Sequence, residues 1–195
     1  MAAIVGVCGS LRRGSFNLKL LQAAVAAAPA GSTIDIVSIR DIPLYDGDVD
    51  AEQGPPASVR DLKDRIAAAD GVLLATPEYN HSLPGVLKNA IDWASRPPAD
   101  IPRVFRGRPI AIMGASAGQG GTALAQAAWL PVVRTLMMLP WFEGRLLVTG
   151  AAKVFDANGQ VIDDTIRERL HKFVDGFVRF ADAVKQSRVT ESARR

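Results

Sequence analysis

The chain has 195 residues, of which 48% are hydrophobic and 22% charged, as expected for one globular domain. The formal net charge is only +3 and the basic residues form no stripe, which argues against nucleic acid as a partner. No apolar run is long enough to span a bilayer, and no basic stretch precedes the first apolar run, so we expect neither membrane insertion nor a signal peptide. A single cysteine excludes an internal disulfide and suits a reducing, cytoplasmic location.

Short apolar runs alternate with longer amphipathic stretches, and these two periodicities predict strands and helices in turn. In chain order, the pattern predicts strand Ala3–Cys8, helix Phe16–Ala28, strand Thr33–Ile39, a long loop Asp41–Pro56, helix Ala57–Ala69, strand Gly71–Thr76, helix Pro84–Ser95, strand Pro109–Ala115, helix Gly121–Leu139, strand Arg145–Thr149 and helix Asp163–Lys185. Pro131 is expected to kink or break its helix.

Strands that are apolar throughout are buried on both faces, and the helices between them imply parallel pairing. We therefore predict an α/β fold, a three-layer sandwich around a five-stranded parallel sheet. One domain is expected over residues 1–186, followed by a disordered polar tail over 187–195. Ligands of such sheets bind at the carboxyl ends of the strands, so the loops after strands one, three and four are the candidate site.

The loop after strand one opens a helix and contains short polar side chains. A helix N-terminus offers free backbone N–H groups and the positive end of the helix dipole, and both favour an anion. Ser10, Ser15 and Asn17 add hydrogen-bonding groups, and Arg12 or Arg13 adds positive charge. Because the G-K-[ST] of a P-loop is absent, these residues predict a phosphate site without magnesium. The alternative is an ordinary serine-capped helix with surface arginines.

The loop after strand three combines polar and aromatic residues. A flat heteroaromatic ligand needs stacking faces and backbone groups around its rim, and Tyr79 with the amides near Glu78 and Asn80 supplies both. The alternative is a polar loop in which Asn80 or Ser82 caps the next helix.

Three stretches carry longer motifs. The first loop reads Gly9-Ser10-Leu11-Arg12-x-x-Ser15-x-Asn17, the second strand is followed by Ile42-Pro43-Leu44-Tyr45-Asp46-x-Asp48, and the third loop reads Pro77-Glu78-Tyr79-Asn80-x-x-x-Pro84-Gly85-x-Leu87-Lys88-Asn89-Ala90-Ile91-Asp92. The outer two resemble the signatures of the NADPH-dependent FMN reductase family, and the middle one resembles its chromate- and quinone-reductase branch. The resemblance runs from about Ile4 to about Val184.

The resemblance implies a flavodoxin-like fold with strand order 2-1-3-4-5, FMN as cofactor, and NADPH or NADH as electron donor. It implies that the FMN phosphate is held by Ser10, Arg12, Ser15, Asn17 and the amide of Phe16. It implies that Pro77, Glu78, Tyr79 and Asn80 line the isoalloxazine, largely through backbone atoms. A glycine-rich loop after strand four passes the flavin rim in the family, which makes Ser116, Ala117, Gly118 and Gly121 the candidates for that contact. Homodimers or homotetramers, with the flavin near a subunit interface, are also implied.

The resemblance thus predicts an oxidoreductase that passes electrons from NAD(P)H to quinones, chromate or similar small acceptors in a ping-pong cycle. Since a flavin performs the redox chemistry itself, we assign no catalytic side chain. The competing prediction is a flavodoxin-like electron carrier, or a flavin-binding module, without NAD(P)H chemistry. The slightly basic net charge argues mildly against a carrier that docks on basic partners.

Two other motifs overlap in the loop after strand four. Gly114–Gly118 fits the G-x-S-x-G of a hydrolase, with Ser116 as nucleophile, but the later histidine, His171, falls inside the last helix rather than in a loop. Gly118–Ala123 fits the dinucleotide fingerprint G-x-G-x-x-A, but that motif belongs in the first βα turn. We therefore disfavour a hydrolase and a Rossmann dehydrogenase.

Some assignments stay open at this level. The two histidines and one cysteine show no metal-ligand spacing, so no metal site is expected. His81 and Glu143 are each candidates to contact substrate or a neighbouring subunit. Arg13, Arg96 and Arg106 are candidate contacts for the extra phosphate of NADPH, and nothing in the sequence selects one of them.

Overall fold

The computed structural model describes residues 1–193 as a parallel sheet between two layers of helices. The strands are β1 (Ala3–Cys8), β2 (Thr33–Val37), β3 (Gly71–Ala75), β4 (Pro109–Ala115), β5 (Leu139–Pro140) and β6 (Leu146–Val148). The α-helices are α1 (Phe16–Ala26), α2 (Gly47–Gln53), α3 (Ala57–Ala68), α4 (Gly85–Ala94), α5 (Ile101–Val104), α6 (Ala123–Thr135) and α7 (Asp164–Ala193). Within this part of the chain, no helix combines the length and apolarity needed to cross a membrane.

The strand order is β2-β1-β3-β4-β5, with β6 also paired to β4, and every pair is parallel. This confirms the predicted α/β class and the flavodoxin-like order 2-1-3-4-5. The fifth position is filled by two short strands: β5 pairs with the start of β4 and β6 with its end. The prediction of one continuous strand, Arg145–Thr149, missed the first piece because two residues carry no periodicity.

Two apolar layers cover the two faces of the sheet. On one face, Ile4 and Leu73 pack with residues of α1 and α7. On the other, Val5 and Val7 pack with residues of α3, α4 and α6. Successive strand residues thus point into different layers, and the middle strand β3 is buried at all five positions. This double burial is why the strand sequences lack an apolar–polar alternation.

The predicted loop Asp41–Pro56 contains a helix, α2. The Asp46 side chain caps it by accepting a 2.9 Å hydrogen bond from the Asp48 N–H. None of its residues is buried, so it lacks the apolar face on which the sequence prediction depends.

The predicted disordered tail, 187–195, also needs correction. Helix α7 continues to Ala193, and residues 194–195 lie outside the described part of the chain. No glycine or proline interrupts the sequence after Gly176. The Thr190 hydroxyl donates to the Gln186 carbonyl one turn back, and Arg188 donates to the carbonyl oxygen of Gly107. The predicted end of this helix rested on the polarity of the tail alone, and polar residues without glycine or proline do not end a helix.

Candidate functional site

Three loops lie at the carboxyl edge of the sheet: residues 9–15 after β1 (loop 1), 76–84 after β3 (loop 3) and 116–122 after β4 (loop 4). Specific contacts join them. The Tyr79 hydroxyl of loop 3 lies 3.4 Å from the Ser10 hydroxyl of loop 1. The Asn17 side chain, just after loop 1, bonds the backbone of Ala115, just before loop 4. The predicted phosphate, ring and rim residues are therefore brought to one place.

Loop 1 packs directly on loop 3. A Cβ on Gly9 would lie 2.9 Å from Leu87 Cδ2 and 2.9 Å from Pro77 Cδ, so a larger residue would push the two loops apart. The buried Pro77 of the predicted ring-lining set thus forms part of the contact between loops. The glycine is required here by this close approach.

Helix α1 begins as the phosphate prediction requires. Ser15 is its N-cap, and the Ser15 hydroxyl accepts a 3.2 Å hydrogen bond from the Leu18 N–H. Within the described residues, the N–H groups of Phe16 and Asn17 have no acceptor. The Arg12 side chain is exposed and forms no ion pair with a described residue. Free amides and an unpaired guanidinium at one helix N-terminus suit a phosphate.

Asn17 differs from the other phosphate candidates in its hydrogen bonds, which join it to β4. It is 3% exposed, its Nδ2 donates to the Ala115 carbonyl at 2.9 Å, and its Oδ1 accepts from the Ala115 N–H at 2.9 Å. Only one amide hydrogen is left over for a ligand. The pair fixes the start of α1 to the end of β4, so Asn17 positions loop 1 whether or not it touches phosphate.

Loop 3 turns tightly at its tip. Tyr79 and Ser82 exchange two backbone hydrogen bonds of 3.1 and 3.0 Å. Between them, Asn80 and His81 have φ values of 49° and 60°, the left-handed pair of a two-residue hairpin turn. Asparagine tolerates this backbone conformation well. The turn leaves Tyr79 44% exposed as an aromatic face at the site.

The alternative role of Asn80 and Ser82 as helix caps is wrong. The N-cap of α4 is Pro84, and no side chain caps that helix.

Glu78 has a role that the sequence did not predict. Its Oε2 accepts hydrogen bonds from the N–H groups of Leu124 and Ala125 at 2.9 and 3.0 Å, which caps the N-terminus of α6. Its Oε1 lies 3.5 Å from His81 Nδ1. The side chain therefore joins loop 3 to α6 and occupies a helix end that would otherwise attract an anion. Glu78 and Leu124 are 46 positions apart in the sequence, so no local pattern reveals this contact.

Loop 4 is small and open. Ala117 and Gly118 are exposed, and the backbone turns at Gly121, where φ is 61°. Gly114, just before loop 4, lies directly against the start of loop 3, because a Cβ on it would lie 2.3 Å from the Thr76 carbonyl oxygen. Side chains this small leave a flat ligand accessible to a second molecule.

Ser116 does not have the environment of a hydrolase nucleophile. Its hydroxyl donates to the Gly118 carbonyl at 3.3 Å, within its own loop. His171 is exposed on α7, and among the described residues no histidine hydrogen bonds Ser116. The arrangement lacks the nucleophile–base pair of a triad.

Cys8 lies beneath loop 1 at the end of β1. It is 7% exposed, and burial raises the pKa of its thiol above the usual value. Its Sγ donates to the Ser10 carbonyl at 3.6 Å, so the thiol is a protonated packing group that supports loop 1.

The site fits a mononucleotide with a flat ring. Loop 1 offers unpaired amides and Arg12 to a phosphate, Tyr79 offers an aromatic face, and loop 4 offers a narrow rim of small residues. The chain also matches the model of the NADPH-dependent FMN reductase family over residues 2–153, and it belongs to that family. It is a flavodoxin-like oxidoreductase whose cofactors are FMN and NAD(P)H.

Two relatives and one solved structure are similar to this chain over most of its length. An NAD(P)H-dependent FMN reductase of Pseudomonas aeruginosa is 46% identical over 169 residues, which cover 87% of this chain and 89% of that protein. A 2-hydroxy-1,4-benzoquinone reductase of a Burkholderia species is 41% identical over 95% of this chain and 98% of its own. Among solved structures, the flavoenzyme NAD(P)H:(acceptor) oxidoreductase FerB of Paracoccus denitrificans has a TM-score of 0.84 at 36% identity, covering 94% of this chain and 98% of that one.

Proposed function

We propose that this protein reduces quinones with electrons from NAD(P)H, using FMN bound across loops 1, 3 and 4. The contact between Tyr79 and Ser10 carries the proposal, because it joins the predicted phosphate loop to the predicted ring loop in one site. Quinone is the favoured acceptor because relatives of similar length are named quinone reductase in Escherichia coli and 2-hydroxy-1,4-benzoquinone reductase in Burkholderia. We propose chromate as a further acceptor, because the motif after β2 resembles that of the chromate- and quinone-reductase branch.

The proposed roles are those that the family resemblance implies. The phosphate is held by Ser10, Arg12, Ser15, Asn17 and the Phe16 amide. The ring is lined by Pro77, Glu78, Tyr79 and Asn80, and its rim by Ser116, Ala117, Gly118 and Gly121. When bound, FMN supplies the two-electron chemistry. The protein holds the ring between loops 3 and 4 and leaves one face open, so that nicotinamide and acceptor occupy the same place in turn. That single face predicts a ping-pong cycle.

The proposal includes a homodimer or homotetramer located in the cytoplasm. Exposed apolar side chains on and after α6, among them Leu124, Leu130 and Phe142, support an interface there. Trp93 is fully buried and donates to the Pro43 carbonyl at 3.0 Å, so it belongs to the core and not to such an interface.

The test is a visible absorption spectrum of the purified protein, recorded without oxygen before and after NADPH. We expect a flavin spectrum that bleaches and then recovers when a benzoquinone is added. A bound flavin that stays oxidised with both NADPH and NADH would instead indicate a carrier. When donor and quinone are both varied, parallel double-reciprocal lines are expected, and intersecting lines would exclude the single-site cycle.

A variant pair tests the phosphate assignment. Arg12→Gln removes the unpaired guanidinium and should weaken FMN binding by about tenfold or more, since a hydrogen bond to a charged group contributes about 1.5–3 kcal/mol. Arg169→Gln removes another exposed guanidinium, on α7, and should leave FMN affinity unchanged. Equal FMN affinity in both variants would remove Arg12 from the site.

A further inference from the structure

A cavity lies beside loop 1, on the side away from loop 3. Its volume is about 240 Å³, and it opens between loop 1 and the residues that follow β2. Its lining includes Arg12, Arg13 and Arg40, together with Ser10, Ser38 and the buried Cys8. Three arginines from two different loops thus share one concave site.

No acidic residue lines this cavity, and none of its three guanidiniums forms an ion pair with residues 1–190, whose side chains the structure describes. Arg40 is held in place because it donates to the Leu11 carbonyl oxygen of loop 1. By contrast, the cavity on α7 that contains Arg167 is also lined by Asp164 and Glu168. Uncompensated guanidiniums around a cavity of this size suit a dianionic phosphate ester, which they bind in bidentate fashion.

The cavity lies on the same edge of the sheet as the proposed flavin site. It sits at the ends of β1 and β2, whereas loops 3 and 4 follow β3 and β4. Neighbouring strands are about 4.8 Å apart, so the cavity is roughly 10 Å from the gap between loops 3 and 4. A dinucleotide whose nicotinamide lies on the flavin can span that distance with its other nucleotide.

The structure also separates the arginines that the sequence left equivalent. Arg106 precedes β4 and therefore lies at the amino edge of the sheet. Arg96 follows α4, and its Cζ lies 5.9 Å from the centroid of the Tyr45 ring, outside the lining of this cavity. Of the three, Arg13 alone lines the cavity, and Arg40, which the sequence did not single out, joins it there.

We infer that this cavity binds the 2′-phosphate of NADPH, with Arg13 and Arg40 as the residues that favour NADPH over NADH. The inference rests on the proposed function, in which a nicotinamide nucleotide occupies the open flavin face. Ser10 and Arg12 border both sites and are assigned to FMN, so the specificity is carried by the two arginines outside the FMN set.

Calorimetric titration of the FMN-loaded protein tests this with two probes, adenosine 2′,5′-bisphosphate and adenosine 5′-diphosphate. We expect the 2′-phosphorylated probe to bind about ten- to a hundredfold more tightly. Arg13→Gln and Arg40→Gln should each reduce that preference while the protein keeps its FMN. Arg106→Gln, at the opposite edge, should keep the full preference.

The inference is overturned if wild type binds both probes equally, or if Arg13→Gln retains the preference. It is also overturned if Arg13→Gln loses FMN in proportion, because the cavity would then belong to the cofactor phosphate. Failure of the proposed function has a different signature: the flavin would stay oxidised with both NADPH and NADH. A flavin reduced equally well by NADPH and NADH would leave the oxidoreductase standing and overturn the specificity site.

Discussion

The side-chain amide of Asn17 pairs with the backbone of Ala115 through two hydrogen bonds of 2.9 Å, across 98 residues of sequence. It extends the hydrogen bonding of β4 to the first turn of α1. This pair holds loop 1 and loop 4 together, so the proposed cofactor site depends on a residue pair buried beneath it.

Asn17→Asp should destabilise the protein by about 1–3 kcal/mol, because a carboxylate accepts from the Ala115 N–H but repels its carbonyl oxygen in a buried setting. FMN affinity should fall as well, since loop 1 loses its anchor. Urea unfolding and FMN titration measure the two effects. Asn158→Asp makes the same chemical change at an exposed turn and should alter neither. If both variants are equally stable, the pair has no anchoring role.

Glu78→Ala should cost about 1 kcal/mol, because the N–H groups of Leu124 and Ala125 lose their cap. Glu78→Gln should retain most of that stability, since the amide oxygen still accepts from α6. Thermal unfolding compares the three proteins. A Gln variant as unstable as the Ala variant would show that the carboxylate charge, rather than the hydrogen bonds, stabilises the helix end.

The ionised Asp100 carboxylate should make the free energy of unfolding decrease at acid pH. Its hydrogen bonds from Arg103, with help from the buried Lys63, hold the pKa of this carboxyl far below its usual range. The pKa of an aspartate in the unfolded chain is about 4. Above that pH the ionised carboxyl contributes its full stability to the fold, and this contribution is lost as the pH falls below that value.

Asp100→Asn should therefore destabilise the protein by about 1–3 kcal/mol at pH 7, with a smaller loss at pH 3. Urea unfolding at the two pH values measures the difference. Asp64→Asn removes a second partner of Arg103, but Asp64 is 69% exposed, and the change should cost less than about 0.5 kcal/mol. A pH-independent loss in Asp100→Asn would mean that lost packing, and not the ionised carboxyl, is responsible.

Gly176→Ala should destabilise the protein, although alanine is the better helix former by about 1 kcal/mol. A Cβ on this residue of α7 would lie 2.6 Å from Trp141 Cζ2, and the indole is already packed against Phe173. Displacing it should cost about 1–3 kcal/mol, measured by chemical unfolding. Gly85→Ala, where nothing lies within 4 Å, is the control and should be neutral or slightly stabilising. A stabilised Gly176→Ala would show that Trp141 moves freely.

The sheet was predictable because its strands are short, uniformly apolar runs separated by helices, and such runs fit only a sheet buried on both faces. Helix α2 was not predictable in this way, since its residues are all exposed or half-buried and its cap is a single aspartate. The two-residue strand β5 was missed because it exists only through its pairing with β4. Boundaries set by long-range pairing leave no local signal.

By itself, the sequence determined the α/β class, the family and the three loops that carry its motifs, because each of these is encoded by neighbouring residues. The tertiary structure decided which partners those residues have: Glu78 with the first turn of α6, Asn17 with Ala115, and Arg13 with Arg40 around one cavity. These partners are between 27 and 98 residues apart, and only the strand order brings them together. Physical proximity at a sheet edge is a property of the whole chain, and no local stretch contains it.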